Sequence, residues 1–107
     1  MTRFPAPEVY IIKELADFLK KLSNGHKFLK WITDMKVVLK EHKFAGELIK
    51  KSQIPNYYVE KFGVNNLYRY GHPEGFRSCY TVVNGCPYIL DIMDHGEYDL
   101  RFGYNTT

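Results

Sequence analysis

Cysteine is scarce in this chain of 107 residues, and the two present, Cys79 and Cys86, make neither a disulfide framework nor a metal cluster. Asn84-Gly85 between them is a two-residue hairpin signal that would set Val83 against Cys86 and Cys79 against Leu90. Both sulfurs then share a sheet face about 13 Å apart along the strand, beyond disulfide reach. Long apolar runs are missing too. No stretch approaches the ~18–20 residues of a membrane span, and the N-terminus lacks the charged-then-apolar pattern of a secretory signal. A cytoplasmic setting with no membrane partner is expected. The scattered glycines form no Gly-x-Gly-x-x-Gly or Walker pattern. No serine occupies a nucleophile elbow, and His26, His42, His72 and His95 lack metal-ligand spacing. The expectation is therefore no cofactor and no metal.

What is present suits one domain, residues 1–107, with a modest core. Hydrophobic residues make up 45% and charged residues 25%, enough apolar surface to exclude wholesale disorder. Nine tyrosines stand out, because phenols suit half-wet surfaces where the ring packs and the hydroxyl stays reachable. The net charge of +3 permits an anionic partner without demanding one. Its distribution is uneven. Lysines crowd the front, whereas after Gly63 the cations are Arg69, Arg77 and Arg101 plus histidines.

Apolar residues at Val9, Ile12, Leu15, Leu19 and Leu22 recur at helical spacing, with Pro7 suited to the first turn and Ser23-Asn24-Gly25 as the stop. A second helix is predicted from about His26 to His42, its stripe Phe28, Ile32, Met35 and Leu39. The short link implies an antiparallel helical hairpin. Short helical turns are expected around Glu47–Lys51 and Pro55–Phe62, the latter closed by Gly63. From Asn66 the period changes to strands at Leu67–Tyr70, Phe76–Val83 and Tyr88–Met93. The predicted class is α+β, an N-terminal helical hairpin packed on a C-terminal three- to four-stranded antiparallel sheet.

A four-residue loop at His72-Pro73-Glu74-Gly75 would pair Tyr70 with Arg77 and Tyr68 with Cys79. Tyr68, Tyr70, Arg77, Cys79 and Thr81 would then share one face, with Leu67, Arg69, Ser78, Tyr80 and Val82 on the other. Two tyrosines beside a guanidinium suit single-stranded RNA, whose bases stack while a phosphate meets arginine. An Arg77 that merely covers the sheet edge and pairs with Glu74 is the competing interpretation. A helical turn in the segment Asp94–Tyr104 would place His95, Tyr98 and Arg101 near one face. Histidine exchanges protons near neutrality, and arginine offsets charge gained by a pentacoordinate phosphate.

The run Gly75-Phe76-Arg77-Ser78-Cys79-Tyr80-Thr81-Val82-Val83, the strand Ile89-Leu90-Asp91-Ile92 and the ending Asp94-His95…Tyr98…Phe102-Gly103-Tyr104 resemble the C-terminal sheet of the RelE/ParE toxin superfamily. The helix-helix-sheet order is also similar, although the motif itself covers about a third of the chain. The resemblance implies a RelE-like fold and a metal-independent mRNA interferase that cleaves mRNA on the ribosome and is neutralised by an antitoxin protein. It maps the phosphate-contacting arginine onto Arg77, the basic or histidine position onto His95, and the C-terminal tyrosine onto Tyr98 or Tyr104. The expected catalytic set is Arg77, His95, Tyr98, Arg101 and Tyr104, with Lys61, Tyr68 and Tyr70 binding substrate. Tyr68 and Tyr70 stand where family members carry lysines. The ParE branch shares the fold yet acts on DNA gyrase, so a catalytically inactive module that binds an antitoxin or another protein target is the alternative.

Overall fold

In a computed structural model, which describes residues 3–103, the chain folds into four helices and five strands. The strands are β1 (Tyr10–Ile11), β2 (Glu47–Leu48), β3 (Tyr68–Gly71), β4 (Arg77–Val83) and β5 (Cys86–Ile89). The helices are α1 (Lys13–Lys20), α2 (Lys27–Glu41), α3 (Asn56–Phe62) and α4 (His95–Phe102). The strands form one sheet in the order β1-β5-β4-β3-β2. The class is α+β, but the sheet has five strands and is mixed, because β1 runs parallel to β5.

The N-terminal segment departs from the helix predicted by its spacing. Val9-Tyr10-Ile11-Ile12 is a β-branched and aromatic run behind Pro5 and Pro7, a composition that favours extended backbone. Tyr10 stacks on Tyr88 with ring centroids 4.9 Å apart, and the Ile12 N–H donates to the Ile89 carbonyl at 3.1 Å. The chain is thereby held along β5, and α1 begins only at Lys13. A strand likewise replaces the helical turn expected around Glu47–Lys51. In β2, Glu47 pairs with Arg69 and Leu48 with Tyr68. Gly46 makes that approach possible, since a Cβ there would meet the Arg69 carbonyl oxygen at 2.7 Å and Tyr80 Cε1 at 2.8 Å. The helix α3 does form where the sequence places it, and Gly63 ends it in the left-handed region at φ 65°.

Both sheet faces are covered. On one, Tyr80 and Ile89 pack with Leu15 and Leu19 of α1 and Ile32, Met35 and Leu39 of α2. On the other, Leu67, Cys79 and Leu90 pack with Ile49, Tyr58 of α3, Met93 and Tyr98 of α4. Each such aliphatic side chain contributes about 1.5–3 kcal/mol when removed from water. Among the described residues, no helix is long and apolar enough to cross a membrane.

The β3–β4 register differs from the expected one by one residue. Tyr68 lies opposite Tyr80, Arg69 opposite Cys79, Tyr70 opposite Ser78, and Gly71 opposite Arg77. The His72 N–H donates to the Phe76 carbonyl at 2.8 Å, so the loop proper is only Pro73-Glu74-Gly75. Glu74 and Gly75 both take positive φ, 64° and 79°, and this curls the chain tightly enough to dispense with a fourth loop residue. A one-residue slip moves every side chain to the other face. Tyr68 and Tyr70 therefore face α1 and α2, while Arg69 and Arg77 share the face of α3 and α4. The β4–β5 turn keeps its expected register, Val83 opposite Cys86, with Asn84 and Gly85 at φ 52° and 80°. Both cysteines are free thiols.

His72 gives this hairpin a pH dependence. Its Nε2 is 2.7 Å from the hydroxyl of fully buried Ser78, and its ring stacks near Trp31. Burial lowers its pKa from 6.5 to about 4. The unfolded chain thus takes up the proton first, so stability is full above pH 6.5 and declines as pH falls toward 4. Allowing for partial exposure, the expected loss at the acid end is about 2 kcal/mol, read by urea unfolding across pH. His72→Gln should flatten that slope, and an unchanged slope would show that another group drives it.

Candidate functional site

The register places two guanidinium groups around one phenol. Arg77 begins β4, and its Cζ lies 4.7 Å from the ring centroid of Tyr98. Arg69, from β3, has its Cζ 5.6 Å from the same ring, and its Nη1 donates to the Tyr98 hydroxyl at 3.2 Å. Arg69 also forms an ion pair with Glu47 on the neighbouring edge strand. Among the described residues no carboxylate lies within ion-pair range of Arg77, which is half-buried. The ring beneath them is fixed. Tyr98 is 0% exposed and stacks on Phe102 with centroids 4.2 Å apart.

The helix α4 brings that ring to the sheet. Asp94 caps it, its Oδ1 accepting from the Glu97 N–H at 2.8 Å, and Gly103 ends it at φ 71°. His95 is the first helical residue, one turn before Tyr98 and so on a neighbouring line of the helix surface. Its side chain is 63% exposed, and its Nε2 is 3.0 Å from Asp99 Oδ2. A carboxylate of this kind fixes the imidazole's orientation.

The structure scatters much of the expected site. Arg77 and Tyr98 come together, while the His95 imidazole, one turn earlier on α4, meets Asp99. Tyr98 is packed into the core, its hydroxyl accepting from Arg69 Nη1. Arg101 belongs to a different constellation. Its Nη1 lies 3.3 Å from Asp91 Oδ2 and 3.5 Å from the Tyr58 hydroxyl, and its guanidinium stacks on Tyr57 at 4.1 Å. Asp91 also accepts there from the Tyr58 hydroxyl at 2.6 Å and the Cys79 N–H at 2.8 Å. Burial raises the Asp91 pKa, while Tyr58, the Cys79 N–H and Arg101 pull it back down. Arg101 thus neutralises the Asp91 carboxylate and sits apart from the Arg69–Arg77 pair.

The expected substrate-binding residues are also displaced. Tyr68 stacks between Tyr80 and Phe44 on the α1–α2 face, at 5.1 and 5.8 Å, and Tyr70 packs near His72 on that same face. Neither accompanies Arg77. Lys61 is held on α3 by Glu14 at 2.7 Å and the Tyr57 hydroxyl at 3.1 Å. Tyr104 lies outside the described residues. Arg69 is the member that sequence reasoning missed. Its only signal was the parity of the loop between it and Arg77, because an odd loop length puts the two arginines on one face.

Arg69 and Arg77 place two guanidinium groups against one buried ring, and each fork can make bidentate contacts with an anion such as a phosphate. No family model, curated protein or solved structure matches this chain.

Proposed function

We propose that this chain is a RelE-like toxin of a toxin–antitoxin pair, an mRNA endoribonuclease acting on the ribosome in the cytoplasm and held in check by an antitoxin protein. On this reading α1 and α2 are the family's antiparallel helical hairpin. The observation that carries the proposal is the bracketing of Tyr98 by Arg69 and Arg77, with Arg77 lacking an acidic partner among the described residues. Paired guanidinium groups on a fixed ring hold the non-bridging oxygens of a phosphodiester and offset the charge it gains on attack. The ribose 2′-hydroxyl attacks phosphorus in line, giving a 2′,3′-cyclic phosphate and a free 5′-hydroxyl. His95, oriented by Asp99, takes up or delivers the proton. Tyr98 and Arg101 act as supports: Tyr98 positions both arginines, and Arg101 stabilises the core beneath.

A second reading, a non-catalytic module binding an antitoxin or another protein, is favoured by one observation. Of the two tyrosines expected to partner His95, Tyr98 is fully buried, and Tyr104 lies outside the described residues. Expression with and without the neighbouring open reading frame, followed by mapping of transcript ends on ribosomes, separates the two. Growth arrest with new 5′ ends, lost in His95→Ala, is the expected result. Arrest without new ends would transfer the assignment to the second reading.

A further inference from the structure

A cavity of about 200 Å³ opens beside Arg69, its wall including Glu47, Ile49, Lys50, Gln53, Arg69 and Tyr98. We infer that it receives a single nucleobase, and that Glu47 makes that base guanine; the inference rests on the RNA reading above and specifies its substrate. Size is the first argument. Whole drug-sized ligands take pockets of roughly 300–1,000 Å³, so this recess has room for about one heterocycle. Position is the second. Arg69 and Tyr98 belong both to the cavity wall and to the arginine cluster, so a phosphate on the arginines brings an adjoining base to the cavity mouth.

Chemistry decides the base. An ionised carboxylate only accepts, through two adjacent oxygens, and the Gln53 amide both donates and accepts. Guanine presents two neighbouring donors, N1–H and the N2 amine, beside the O6 acceptor. The donors match Glu47 and the acceptor matches the Gln53 amide. Adenine and cytosine place a ring-nitrogen lone pair next to their amine, and that lone pair would face a carboxylate oxygen. Uracil offers a single donor between two acceptors. The ion pair between Glu47 and Arg69 holds the carboxylate at the cavity edge. Arg69 has five donors, so it can keep Glu47 and Tyr98 while meeting a phosphate. Ile49, on the same sheet face as Glu47 and packed with Tyr58, Leu67 and Tyr98, supplies an apolar wall for the ring.

The test measures binding of the full chain, at low salt, to short uridine oligomers carrying one guanosine, inosine or adenosine. Guanosine should bind about tenfold or more tighter than adenosine, as a bidentate base contact provides. Inosine, lacking the N2 amine, should fall between. Glu47→Gln should bring the guanosine-to-adenosine ratio close to one, and Gln53→Ala should reduce it. Arg77→Ala should weaken all three oligomers alike. A ratio unchanged in Glu47→Gln, with binding that still depends on Arg77, would sink the base pocket and leave the RNA reading intact. No binding of any oligomer by the wild-type chain would remove both.

Discussion

Arg77→Ala is expected to reduce ribosome-dependent mRNA cleavage by about 100-fold or more, the scale of losing one donor that meets developing charge. Binding to single-stranded RNA should weaken across all sequences, with the salt dependence of the affinity falling by about one charge. The fold should tolerate the change. The bonds that secure this end of β4 belong to the backbone, the Arg77 N–H donating to Met93 at 2.8 Å and the Met93 N–H returning to Arg77 at 2.7 Å. The side chain loses mainly its contact with the Tyr98 ring, about 0.5–2 kcal/mol. Arg77→Lys keeps the charge but not the planar fork, so its activity should be intermediate. Full activity of Arg77→Ala at wild-type stability would remove the arginine pair from the mechanism.

Asp91→Ala should produce the largest loss of stability, about 3–5 kcal/mol by urea unfolding. Three donors converge on this carboxylate: the Tyr58 hydroxyl, the Cys79 N–H and Arg101. The carboxylate and the guanidinium are only 17% and 21% exposed, so removing one strands the other in poor solvent. For a domain whose whole stability is about 5–15 kcal/mol, that loss approaches unfolding. Asp91→Asn preserves the acceptor for Tyr58 and should cost less. Arg101→Ala should resemble a stability mutant too, its cleavage recovering with the folded fraction at lower temperature. A catalytic defect in well-folded Arg101→Ala would contradict its structural role.

One long helix and one tight turn were legible in the sequence because their signals are local. The stripe Ile32, Met35 and Leu39 marks α2, and Asn84-Gly85 marks the β4–β5 turn. The edge strands were not legible, since two residues give no period and their pairing partners lie far along the chain. Tyr10 finds Tyr88, and Glu47 finds Arg69. The candidate site was half legible. Arg77 and Tyr98 do meet, as expected, but Glu74 at positive φ is a conformation that its residue type does not announce. That one backbone angle helped exchange Tyr70 for Arg69 beside Arg77. The contact of Arg101 with Asp91 was not legible, because tertiary packing fixes it and spacing within α4 cannot reveal it.

The parallel pairing of β1 with β5 also sets an order of events during synthesis. Tyr10 and Ile11 must wait for Tyr88 and Ile89 to emerge, a delay of roughly ten seconds at ordinary elongation rates. His95 and Tyr98 leave the ribosome later still. A nascent chain therefore carries its N-terminal segment unzipped until Tyr88 and Ile89 are made, and Arg69 and Arg77 without their supporting ring until Tyr98 follows.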